Sequence, residues 1–78
     1  DAYHLLRQAL AQPDPVVVIE HKGLYAEKGT LDVDAPDAPW GCPAVRRAGR
    51  DLTIVAYSRM VHEALAAAER LAQAGVEA

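Results

Sequence analysis

The stretch Asp51–Gly75, DLTIVAYSRMVHEALAAAERLAQAG, sets an apolar run directly against a helical pattern. Leu52-Thr53-Ile54-Val55-Ala56-Tyr57 is rich in β-branched residues and lacks strict apolar–polar alternation, which predicts a strand buried on both faces. Val61, Ala64, Leu65, Ala68, Leu71 and Ala72 then recur with a 3.6-residue period, the apolar face of a helix. Ser58 stands where an N-cap belongs, its hydroxyl placed to accept from a free amide of the first turn. Gly75 is the expected left-handed terminator, and Val76 onward reads as a further strand. Strand, helix and strand in succession argue for a parallel α/β sheet.

Working outward, Ala2 to Gln12 reads as a helix, with Ala2, Leu5, Leu6, Ala9 and Leu10 on one face. Asp1 is its candidate cap. Gln12-Pro13-Asp14-Pro15 stops it, because each proline biases the residue before it away from the helical region. Val16-Val17-Val18-Ile19 follows as a second buried strand, and Glu20-His21-Lys22 breaks it. A short helical turn is expected around Lys22 to Glu27. The polar stretch after it, TLDVDAPDAP, buries little and reads as a surface linker. Ala44–Arg47 reads as a short strand, with a tight turn at Gly49-Arg50-Asp51. A fully buried parallel strand needs neighbours on both sides, and 78 residues do not supply them. Two half-domains joined by a linker fit this pattern, and both ends of the chain read as cuts.

Composition narrows the function. Hydrophobic residues make up 51% of the chain, with no phenylalanine, which is globular rather than disordered. The net charge is −3, from 8 basic and 11 acidic residues. No basic block exceeds Arg46-Arg47 and the aromatics are scattered, so no nucleic-acid surface is expected. No apolar run approaches the ~20 residues that span a bilayer, so no membrane span is expected, and no signal peptide is visible. The lone Cys42 has no partner for a disulfide and suits a reducing, cytoplasmic setting.

Three places have residues able to carry chemistry. At Tyr57-Ser58-Arg59 a strand meets a helix N-terminus, where free amides favour anions and Arg59 adds charge. The plainer alternative is a capping serine and a solvated arginine. No glycine-rich phosphate loop precedes the helix. Glu20-His21-Lys22 ends a buried strand, where active sites often lie; polar residues also end most strands. The acidic series Asp32, Asp34, Asp37 lacks the glycine and closing glutamate of a calcium loop and reads as a solvated linker. His4, His21 and His62 are far apart with no ligand partner at helical spacing, so exposed or interfacial side chains are expected. Cys42 has no adjacent base, and Ser58 with His62 makes no triad. No catalytic, cofactor-binding or metal residue is assigned.

Two stretches resemble a known family. PVVVIEHKGLYAEKG, Pro15–Gly29, and GRDLTIVAYSRMVHEALAAAERLAQAGVEA, Gly49–Ala78, look like consecutive segments of the beta subunits of thiamine-diphosphate-dependent 2-oxoacid dehydrogenase components. These are the transketolase-like decarboxylating subunits of pyruvate, branched-chain 2-oxoacid and acetoin dehydrogenases. The resemblance implies an α/β fold made of parallel-sheet αβ and βα pieces of two domains. Residues 1–28 would end a pyrimidine-binding domain, 29–43 would be the linker, and 44–78 would open a transketolase C-terminal-like domain. It implies a parent oxidoreductase that decarboxylates a 2-oxoacid, or cleaves acetoin, and passes the acyl group to a lipoyl arm. Thiamine diphosphate with magnesium would be the cofactor, bound elsewhere in the parent, and the chain alone would be inactive. The implied partners are an alpha subunit, a second beta subunit and the lipoyl acyltransferase core. Pro39-Trp40-Gly41-Cys42-Pro43-Ala44 departs from the family's usual Pro-Leu/Ile-Gly-Lys-Ala at Trp40, Cys42 and Pro43. The rivals are another transketolase-like enzyme, such as a deoxyxylulose-phosphate synthase, and a stand-alone non-catalytic α/β interaction module. The Glu20–Tyr25 stretch speaks against the first.

Overall fold

The computed structural model describes residues 2–78. The candidate cap Asp1 lies outside the described residues. The elements are a helix α1, Ala2–Leu10, a single 3-10 turn at Lys22–Leu24, and a helix α2, Met60–Gln73. The chain divides into two compact units, one holding the chain up to Glu20 with Glu27–Ala44, the other His21–Ala26 with Val45–Ala78.

In the first unit, α1 stops two residues short of the expected Gln12. Ala11 N–H donates to the Gln8 carbonyl (3.1 Å) and Gln12 N–H to the Ala9 carbonyl (3.2 Å). The last turn thus tightens to i→i+3 bonding before Pro13, as helix ends commonly do. Ala9 is buried, but Leu5, Leu6 and Leu10 of the expected apolar face are exposed. The covered side is polar, with His4, Gln8 and Gln12 partly buried. Farther on, Cys42 N–H donates to the Pro39 carbonyl (3.1 Å), with Gly41 at φ 75. Gly41 therefore sits third in a turn, a place that accepts positive φ only from a residue such as glycine. Cys42 is exposed, as a loop position should be.

In the second unit, α2 carries the expected face: Val61, Ala64, Leu65, Leu71 and Ala72 are partly covered and Ala68 is buried. Its C-terminus closes as expected. Gly75 adopts φ 82, its N–H donates to the Ala72 carbonyl (2.9 Å), and Val76 N–H donates to the Leu71 carbonyl (3.0 Å). That crossed pair is the Schellman closure, which satisfies two carbonyls the helix would otherwise leave open. The N-terminus differs from expectation. Ser58 is in the left-handed region, φ 56, and Arg59 is the residue flanking the helix, without a side-chain cap. An N-cap has extended backbone, so a left-handed Ser58 does not hold its hydroxyl over the first-turn amides.

No strand is formed among the described residues, at Val16–Ile19, Ala44–Arg47, Leu52–Tyr57 or Val76–Ala78. A strand is defined by a ladder of hydrogen bonds to a neighbour, and no such ladder runs along these segments among the described residues. The exposures nevertheless alternate. Val16 and Val18 are 37% and 46% exposed, Val17 and Ile19 85% and 89%. Leu52 and Ile54 are 40% and 41% exposed, Val55 and Tyr57 90% and 84%. A period of two is the signature of extended backbone with one face covered and one bare. The expectation of burial on both faces is not met: Val16, Val18, Leu52 and Ile54 are less exposed than Val17, Ile19, Val55 and Tyr57, yet none of them is buried. The last residues, Val76–Ala78, lie against the turn that opens this unit. Arg50 and Asp51 N–H both donate to the Glu77 carbonyl (3.1 and 2.9 Å), and Glu77 N–H donates back to Asp51 Oδ2 (2.8 Å).

Candidate functional site

Of the places singled out by sequence, His21-Lys22 and Tyr57-Ser58-Arg59 lie in the second unit. His21 flanks the 3-10 turn in extended conformation, and its Nδ1 accepts from Gly23 N–H at 3.0 Å. The neutral ring therefore has its proton on Nε2. A Cβ built on Gly23 would lie 3.0 Å from the His21 ring and 3.6 Å from Arg59 Nη1, so the Arg59 guanidinium lies against this turn. Next to it, Val61 N–H donates to the Ser58 carbonyl (3.2 Å) and His62 N–H to the Arg59 carbonyl (3.1 Å). Two donors of the first turn of α2 are thus spent on backbone carbonyls rather than held open for an anion. An open groove runs between Ile54–Tyr57 and α2, lined by Met60, Ala64 and Ala67, with Glu63 and Arg70 also on it. Its lining is chiefly apolar, which suits packing more than proton or metal chemistry.

The first unit holds a side-chain cluster that sequence reasoning missed. Asp37 accepts from Arg7 Nη2 at 2.6 Å on one carboxylate oxygen and lies 2.7 Å from His4 Nδ1 on the other. His4 Nε2 is 2.9 Å from the Asp32 carbonyl. The Tyr3 ring stands edge-on to His4 with centroids 5.1 Å apart, and the Arg7 guanidinium lies 5.9 Å from the Tyr3 ring centre. The Arg7 bond, then the His4 bond, hold the Asp37 carboxyl below the ordinary aspartate range, and Asp37 in turn raises Arg7. His4 was expected to be an exposed or interfacial side chain and Asp37 a solvated linker residue; the two are paired. The one sequence signal was the i, i+3 spacing of His4 and Arg7, which puts both on one side of α1. Nothing in sequence named a partner some thirty residues away.

Asp34 N–H donates to Asp32 Oδ1 at 3.0 Å, a local turn in the linker rather than a cation loop. Among the described residues no three His, Cys, Asp or Glu side chains gather where they could hold a metal ion. Among the described residues no helix is long and apolar enough to cross a membrane.

Residues 42–78 match the family model for the transketolase C-terminal domain. The chain is 45% identical over 73 residues to the 3-methyl-2-oxobutanoate dehydrogenase subunit beta of Mycobacterium tuberculosis, a match covering 94% of this chain and 21% of that protein. Along its whole length the chain is similar to the beta subunits of 2-oxoacid and acetoin dehydrogenases. It is 44% identical to the pyruvate dehydrogenase E1 component subunit beta-1, mitochondrial, of Arabidopsis thaliana, over 100% of this chain and 23% of that protein. It is 45% identical to the acetoin:2,6-dichlorophenolindophenol oxidoreductase subunit beta of Cupriavidus necator, again over 100% of this chain and 23% of that protein. The chain thus spans under a quarter of the length of the curated relatives it matches. No solved structure matches it.

Proposed function

We propose that this segment is an architectural part of a thiamine-diphosphate-dependent dehydrogenase beta subunit. The parent oxidoreductase decarboxylates a 2-oxoacid, or cleaves acetoin, and transfers the acyl group to a lipoyl arm. The observation that carries this is co-linear identity across the chain to beta subunits named for three different substrates. Identity indifferent to substrate supports a scaffold role for these residues. Residues 1–28 would end the pyrimidine-binding domain, 29–43 would cross between domains, and 44–78 would open the second.

The chain's own residues do not fit thiamine diphosphate with magnesium. Asp37 is engaged by Arg7 and His4, and no three-ligand group forms among the described residues. The cofactor would supply the carbanion chemistry from elsewhere in the parent, and no step is assigned here to a residue of this chain. The parent would pair with an alpha subunit and a second beta subunit and dock on the acyltransferase core. A cytoplasmic location is proposed on the bacterial relatives; the plant relatives are mitochondrial by name.

The test is co-expression of the polypeptide carrying this segment with its alpha subunit. Thiamine-dependent turnover of pyruvate, a branched-chain 2-oxoacid or acetoin is the expected result. A well-assembled complex turning over none of the three would overturn the proposal. The same preparation assayed for condensation of pyruvate with glyceraldehyde 3-phosphate addresses the deoxyxylulose-phosphate synthase alternative. A cooperative melt of the 78-residue chain alone would favour the interaction module.

A further inference from the structure

Both nitrogens of the His4 ring face oxygen acceptors, Asp37 Oδ1 from Nδ1 and the Asp32 carbonyl from Nε2. A neutral imidazole has one N–H and one lone pair. It can satisfy one of these oxygens only by turning its lone pair on the other; the imidazolium satisfies both. We propose that His4 is a proton-operated clasp that, as the imidazolium, ties the Asp32–Asp34 turn to α1 and, on losing its proton, lets that turn go.

The groups facing His4 decide which tie is lost. Tyr3 stands edge-on to the ring, and Arg7 shares Asp37 through the second carboxylate oxygen. The Asp32 carboxylate is turned to Asp34 N–H rather than to the ring. Asp37 is held below the ordinary aspartate range by Arg7 and His4, so it stays anionic wherever an imidazole titrates. A charge-assisted bond outlasts a neutral one. The deprotonated ring keeps its remaining proton on Nδ1 for Asp37 and presents a lone pair to the Asp32 carbonyl. The Arg7–Asp37 bond is unaffected by this proton. The release is therefore local: Asp37 stays on α1 while residues 32–34 come free. The clasp is closed with the ring protonated and opens when the ring loses that proton.

Nuclear magnetic resonance on the isotope-labelled full chain tests this directly. Long-range ring correlations report the protonation of His4, and the Val33 amide reports the carbonyl of the peptide before it. Across a pH series the Val33 and Asp34 amides should shift together with the His4 ring. His4→Gln retains a donor without a titrating proton and should flatten that profile. Asp37→Asn should remove the charge-assisted tie and uncouple the amides from the ring. His4 titrating with no response at Val33 and Asp34, whether the chain is folded or not, would overturn the clasp. So would an unchanged profile in His4→Gln.

Discussion

Ser58 pays for the joint between the Leu52–Tyr57 segment and α2 with a left-handed backbone, φ 56. That region costs an L-residue about 1–2 kcal/mol, of which glycine's extra unfolded freedom would return roughly 0.5–1 kcal/mol. Ser58→Gly should therefore stabilise the chain by about 0.5–1 kcal/mol, seen as a higher urea midpoint at unchanged slope. Ser58→Val, β-branched at positive φ, should cost at least about 1 kcal/mol. If both variants melt like the parent, the joint is not strained. Sequence placed the joint correctly but not its conformation: serine is a favoured cap, and nothing local distinguishes a capping serine from one bent into the left-handed region. Asp37 carries the opposite lesson, since its partners lie in a distant part of the chain. Its carboxyl is held low by Arg7 and then His4. A depressed carboxyl contributes stability above its unfolded value that is lost as pH falls through the folded one. Acidification below about pH 4 should therefore loosen the backbone around Asp37 from α1. An Asp37→Asn chain should show no such transition in the same amides.

The two helices were legible for the same reason and to different effect. Six apolar positions at a 3.6-residue period named the covered face of α2, and each of those six is partly or fully covered. The equivalent face of α1 was named as well, yet Leu10 is 81% exposed, because the contacts α1 makes run through His4 and Arg7. Periodicity reports which face is fit to be buried, not what is present to bury it. The energetic consequence is an asymmetry between the helices. Ala68 is 4% exposed, so Ala68→Leu should cost about 1–3 kcal/mol by overpacking. Leu10→Ala should change stability by less than about 0.5 kcal/mol, as at an ordinary surface site. Chemical denaturation of the two variants side by side decides it, and a comparable loss in both would mean that α1 is covered after all. Gly49 makes a third case, where the requirement is space. A Cβ there would lie 2.7 Å from the Glu77 carbonyl oxygen and 2.8 Å from Ala78 Cα, both backbone atoms that yield little. Gly49→Ala should displace residues 76–78 and abolish hydrogen-exchange protection at the Arg50 and Asp51 amides. The glycine was expected for a turn; the close approach of a segment almost thirty residues later was not visible in its neighbours.

For the whole molecule, the apolar segments are the part the sequence described and the chain does not complete. Val16–Ile19 and Leu52–Tyr57 have the composition of strands flanked on both sides, and the alternating exposure shows one face of each still bare. Val17, Ile19, Val55 and Tyr57 expose apolar surface that contributes nothing to the stability of this chain alone. The relatives are more than four times as long as the matched segment, so a longer polypeptide has the material to cover it. The two situations make opposite demands on the same positions. In the 78-residue chain, Val17→Lys together with Val55→Lys should raise solubility and lower binding of a hydrophobic dye with little change in helix content, because a charge replaces bare apolar surface. In a polypeptide of the relatives' length the same pair should prevent soluble expression, because an unpaired ammonium buried at each position costs several kcal/mol, comparable to the whole stability of a domain. Soluble, stable protein from the longer polypeptide would mean that these faces stay in water. The segments would then be exposed edges of the assembly rather than unfinished pieces of its core.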